Sequence, residues 1–213
     1  MNNLPQKSQQ SKRLASRHKT ISGSWLKDLE SSSGPITRAK KRICETWLLI
    51  DTSGSMGSEG INQARSGAVG FAEQATTSGY NVGVISFADN ADARCEPTHS
   101  VGQIRNALRP CTSSGGTDMT SAISLAFQKL SGKDGSRAIC IVSDGMPNDE
   151  ESTIQVAKAA AAEGIEIITI GVEGANEEFL RRIATKAELS KPVKKVELAL
   201  LMRKAAGLLP PAR

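Results

Sequence analysis

Three segments of this chain carry oxygen-bearing side chains at spacings that suit one task. In Leu48-Leu49-Ile50-Asp51-Thr52-Ser53-Gly54-Ser55-Met56-Gly57 an apolar run ends in a carboxylate, followed by hydroxyls two and four positions on. The glycines let such a loop fold back, so that Asp51, Ser53 and Ser55 aim one way. A polar Ser/Gly turn whose Asp51 caps the next helix is the plainer alternative for this segment alone. Further on, Gly115-Gly116-Thr117-Asp118 sets a hydroxyl and a carboxylate at the head of a helical stripe. Asp144, in Ser143-Asp144-Gly145, then closes a second apolar run. Two carboxylates about 5 Å apart repel by roughly 3 kcal/mol at an effective dielectric of about 20, and a dication between them removes that penalty. Hydroxyls and carboxylates without thiols or imidazoles are hard ligands, suited to Mg²⁺, Mn²⁺ or Ca²⁺. Mg²⁺ commonly keeps waters, which fits a shallow site with few charged ligands. So small a ligand charge leaves the ion electrophilic, with a position for an incoming carboxylate.

The elements that must position these residues alternate along the chain. Strand-like runs cover Ile43–Ile50, Tyr80–Phe87, Arg137–Ser143 and Ile165–Gly171, with weaker ones at Ala91–Glu96 and Pro192–Glu197. Several are continuously apolar, as strands covered on both faces should be. Helical periodicity marks 59–78, 118–131, 150–163, 176–186 and 197–206. Gly67 and Gly70 in the first of these suggest close approach to a sheet, and Gly164 is placed as a helix stop. Ala88-Asp89-Asn90-Ala91 is too short for a helical crossover, so the strand after it must run antiparallel to its predecessor. The fold class expected is α/β: a doubly wound, mostly parallel sheet with one short antiparallel edge strand and helices on both faces. In such a sheet ligands gather outside the carboxyl ends of the strands at the switch in strand order. If 43–50 and 137–143 are neighbours there, Asp51 and Asp144 share one crevice.

The ordered set Asp-x-Ser-x-Ser (51, 53, 55), Gly-Gly-Thr-Asp (115–118) and Ser-Asp-Gly (143–145) resembles the metal-ion-dependent adhesion site of von Willebrand factor type A domains. The resemblance covers about residues 43–209. It implies a Rossmann-like fold and a metal, Mg²⁺ first, with Asp51, Ser53 and Ser55 in contact with it. Thr117 and Asp144 would bind directly or through water. Asp118 falls outside the five and is better read as a helix N-terminal charge. The resemblance further implies a metal-dependent protein-binding module, its partner supplying an Asp or Glu. It points to bacterial-type intracellular relatives, TerY-like or MoxR-associated, that act as adaptors beside AAA+ ATPases or in kinase–phosphatase stress-response sets. Shape around the 88–91 and 111–117 loops would set specificity.

Composition narrows the function classes. The chain has 213 residues, 38% hydrophobic, with aromatics at only 3%, so the core must be aliphatic. Residues 1–42 hold ten Lys/Arg against Asp28 and Glu30, whereas the remainder holds 17 basic and 20 acidic residues. The formal charge of +5 therefore belongs to a basic tail. Residues 1–41 are expected to be largely flexible. Ile21, Trp25, Leu26 and Leu29 allow a short helix near 24–31 that docks on the domain or a partner. The compact domain is expected at 42–209, with 210–213 as a C-terminal end. Phosphate binding by the tail makes a nucleic-acid-associated adaptor the alternative function, weak and non-specific for want of aromatic side chains.

No Ser/His/Asp set, P-loop, GxSxG or zinc motif can be assembled, with His18 isolated and His99 beside a helix start, so no enzyme activity is expected. Four separated cysteines (Cys44, Cys95, Cys111, Cys140) read as reduced thiols. No apolar run spans a membrane and no secretory leader is apparent, so a cytoplasmic location with no membrane partner is expected.

Overall fold

A computed structural model describes residues 43–212; the basic tail and the helix expected near 24–31 lie outside the described residues. Among these residues five strands form one sheet in the order β3-β2-β1-β4-β5. They are β1 (Ile43–Asp51), β2 (Asn81–Phe87), β3 (Ala91–Thr98), β4 (Gly135–Ser143) and β5 (Glu166–Gly171). All neighbours are parallel except β2 and β3, which form a hairpin with a register shift. The short 88–91 turn permits no other sense.

Among the described residues, six α-helices cover the sheet: α1 (Gly57–Thr77), α2 (Val101–Leu108), α3 (Met119–Leu130), α4 (Glu150–Ala162), α5 (Glu177–Ile183) and α6 (Leu198–Ala205). The two-residue period of a strand divides the core into two layers. Leu48 and Ile50 of β1, with Val82 and Val84 of β2, face α1, α2 and α6 through Ile61, Ala68, Phe71, Ile104 and Met202. Trp47 and Leu49 point the other way, against Met119 and Ile123 of α3, Ile154 of α4 and Phe179 of α5. Both faces of β1 are dry, which is why its sequence shows no polar alternation.

Two expectations require correction. Pro192–Glu197 is not a strand: Val193 makes a single bridge to Val172 and Lys195–Glu197 turn into a 3-10 helix. Pro192 has no N–H to offer a ladder, which limits pairing there. Gly67 and Gly70 meet α6, not the sheet: Met202 lies over Gly67 and Arg203 over Gly70.

The register delivers the site. Ile50 pairs with Val142, so Asp51 and Ser143 leave the sheet side by side at the carboxyl edge. Strand order reverses between β1 and β4, where such sheets open a crevice.

Candidate metal centre

Asp51, the last residue of β1, is fully buried. Its Oδ1 accepts from the Ser53 backbone N–H at 2.8 Å, the bond that folds the loop back over the strand end. Ser143 Oγ donates to Asp51 Oδ2 at 2.5 Å, bridging the two central strands. Ser53 Oγ and Ser55 Oγ lie 3.0 Å apart, and Ser55 Oγ donates to Asp144 Oδ1 at 2.8 Å. A continuous chain of hydrogen bonds thus links residues from segments that lie far apart in sequence. Thr117 joins them by proximity: a methyl group built on Gly145 would sit 3.2 Å from Thr117 Oγ1 and 3.8 Å from Asp51 Oδ2. All five residues singled out from the sequence come together.

The loop bearing Thr117 is held by backbone bonds and by side chains that sequence patterns did not single out. Ser113 Oγ donates to Ser53 O at 2.7 Å and accepts from Gly57 N, tying the 111–117 loop to the 53–57 loop. Asp89 Oδ1 accepts from Gly116 N at 2.7 Å, and Asn148 Oδ1 from Thr117 N at 3.2 Å. The hydroxyl-rich run Thr112-Ser113-Ser114 was the one visible signal for such tethers. Asp118 takes the role expected of it: its side chain caps α3 by accepting from Ser121 N at 3.0 Å.

Burial raises both carboxyls above their ordinary range. For Asp51, desolvation outweighs the hydrogen bonds from Ser143 and Ser53, and the charge of Asp144 adds to it. For Asp144, desolvation outweighs the Ser55 hydroxyl and the nearby Lys195 ammonium. Two buried acids that resist ionisation are an electrostatic debt that a cation removes. The residues therefore fit a hard divalent ion on three counts: oxygen donors throughout, neighbouring carboxyls short of counter-charge, and the space kept by Gly145 beside Thr117 and Asp51. Among the described residues, no three His, Cys, Asp or Glu side chains cluster as metal ligands, so hydroxyls must complete any shell.

With this geometry in place, the comparisons are decisive on family. The model of the von Willebrand factor type A domain matches residues 47–200. This chain belongs to that family. No curated protein matches it. Among solved structures, the domain is similar to the vWF domain of the type V pili tip protein Mfa5 from Porphyromonas gingivalis. That match has a TM-score of 0.70 at 13% identity, covering 78% of this chain and 95% of that one. The pilus adhesin SpaC from Lactobacillus rhamnosus GG matches with a TM-score of 0.66 at 15% identity, over 79% of this chain and 30% of the adhesin. BatB from Bacteroides thetaiotaomicron, a conserved hypothetical protein, matches with a TM-score of 0.60 at 23% identity, over 77% and 99%. At these identities the likeness concerns the fold. The five-stranded von Willebrand factor type A sheet, with its one antiparallel pair, agrees with the expected α/β class.

Proposed function

We propose that this von Willebrand factor type A domain binds a protein partner through a divalent cation held by Asp51, Ser53, Ser55, Thr117 and Asp144. Domains of this family are, in general, protein-interaction modules. The observation that carries the metal is the hydrogen-bonded chain from Asp51 through Ser53 and Ser55 to Asp144, ending in two buried carboxyls. Mg²⁺ is the cation of choice, with Mn²⁺ or Ca²⁺ as alternatives. Bound there, it supplies an electrophilic point that an Asp or Glu of the partner completes. The protein's own groups do the rest. Ser143 and the Ser53 N–H fix the Asp51 carboxylate, and Ser113 and Asp89 hold the loop that presents Thr117. Met146, two residues beyond Asp144, is half exposed, and Val196 is more so; they offer a partner apolar ground.

The role is that of an adaptor rather than an enzyme. A AAA+ ATPase of the MoxR type or a TerY-like kinase–phosphatase stress-response set are the partner classes in view. A cytoplasmic setting is part of the proposal, supported by the four unpaired cysteines. Among the described residues no helix is long and apolar enough to cross a membrane. Nucleic-acid association, the alternative role, would rest on residues 1–41, which lie outside the described residues.

Titration calorimetry tests the metal, and partner capture tests its use. The wild-type chain should take up Mg²⁺ and Asp51→Ala should not. Capture of an acidic partner should be lost with EDTA and with Asp51→Ala. Equal Mg²⁺ uptake by both chains overturns the metal assignment, and equal capture overturns the binding role.

A further inference from the structure

Lys195 stands in the 3-10 turn Lys195–Glu197 at the head of α6, 140 residues from the loop it touches. Its Nζ donates to Ser55 O at 2.8 Å and lies 3.8 Å from Asp144 Oδ2. The Asp144 side chain in this pair is only 2% exposed and that of Lys195 23% exposed. Solvent screening, which makes most surface ion pairs nearly worthless, is therefore weak here. The turn is anchored from behind, where Val193 N donates to Gly171 O at 3.1 Å and Val193 bridges Val172 at the end of β5. Among the described residues, no other ion pair reaches the five-residue site.

We propose that Lys195 is a tethered cation that competes with the divalent ion for Asp144, and so sets the affinity of the metal site. The proposal rests on Asp144 being a metal ligand. Without metal, the ammonium neutralises part of the charge on a carboxylate that burial has stripped of water. With metal, the same ammonium faces a dication across one shared carboxylate, and like charges at such range repel. One side chain thus stabilises the metal-free domain and weakens metal binding. The site loads when Mg²⁺ is abundant and empties when it is scarce. Because the ammonium also holds Ser55 O, its displacement loosens one link between the metal loop and the turn before α6.

The test compares the full chain with Lys195→Gln and Lys195→Arg, using MgCl₂ titration and thermal melts in EDTA and in saturating Mg²⁺. Lys195→Gln should bind Mg²⁺ about tenfold tighter, a fraction of the repulsion expected between a lysine and a dication sharing one carboxylate. It should melt below wild type in EDTA, with the gap closing in Mg²⁺. Lys195→Arg, which keeps the charge, should stay close to wild type. Lys195→Met keeps the aliphatic stem and replaces the Gln variant if that one fails to fold. Unchanged Mg²⁺ affinity in the neutral variants, with wild-type binding intact, overturns the role of Lys195 and leaves the metal site standing. No Mg²⁺ uptake by any of these chains overturns the metal site, and this proposal with it.

Discussion

Gly67 and Gly70 lie one turn apart on α1, and the same substitution should move stability in opposite directions. In a helix interior, Gly→Ala gains about 1 kcal/mol from backbone entropy. At Gly70 that gain is free to appear, because the nearest atom to an added methyl, Arg203 Cβ, would be 3.7 Å away. At Gly67 the added methyl would overlap the Met202 thioether and come within 3.0 Å of Met202 Cβ and 3.1 Å of Ala199 Cα. The thioether can rotate, but the other two atoms move only with α6 itself. Overpacking of this kind costs about 1–3 kcal/mol, which exceeds the helical gain. Gly67→Ala should therefore lose about 1 kcal/mol while Gly70→Ala gains about as much. At roughly 2–4 °C per kcal/mol for a domain of this size, their melting temperatures should differ by about 4–8 °C. Melts followed by circular dichroism at matched metal and salt provide the measurement. Equal Tm values, or Gly67→Ala above Gly70→Ala, would refute the claim that α6 packs in contact at Gly67.

Three further predictions concern the site and the helix cap beside it. Burial raises the folded-state values of Asp51 and Asp144 above the ordinary 3.8, so the metal-free domain holds these protons more tightly than the unfolded chain does. Stability from this source is present at low pH and is lost as pH rises from 3.8 through the raised values. In EDTA, Asp51→Asn should show a shallower fall in Tm from acid to neutral pH than wild type; identical slopes would contradict the burial effect. Asp118→Ala should remove the α3 cap at a cost of about 1 kcal/mol and leave Mg²⁺ uptake intact. Thr117→Ala should do the reverse, weakening Mg²⁺ uptake with little change of Tm in EDTA, and calorimetry on both variants separates a cap from a ligand.

Much of the site was legible in the sequence. A carboxylate that ends a wholly apolar run marks the edge of a strand buried on both faces, and Asp51 and Asp144 both stand there. Helical stripes such as Ala122, Ile123 and Ala126 gave α3 its core face, as the period of 3.6 requires. The 192–197 segment misled because Val193 and Val196 have strand-like propensity, whereas a ladder also needs N–H groups that Pro192 lacks. Asn148 and Asp89 carried no pattern of their own, and Ser113 only its place in a hydroxyl-rich run. Their roles depend on which loops the sheet order brings together.

By itself, the sequence determined the layered α/β architecture and the antiparallel hairpin, and it singled out Asp51, Ser53, Ser55, Thr117 and Asp144 as candidate oxygen donors. The first two follow from local periodicity and turn length, and the candidate set from the spacing of its segments together with the family resemblance they carry. The tertiary structure alone decided what faces those residues and what fills the space behind them. Lys195 reaches Ser55 and Asp144 only because Val193 bridges the end of β5 and aims the following turn at the crevice. Gly67 serves α6 and not the sheet because the sheet face beneath α1 is already filled by Ile61, Ala64, Ala68 and Phe71. Contacts across so many residues leave no trace in local spacing, since they are fixed by packing that the whole chain completes together.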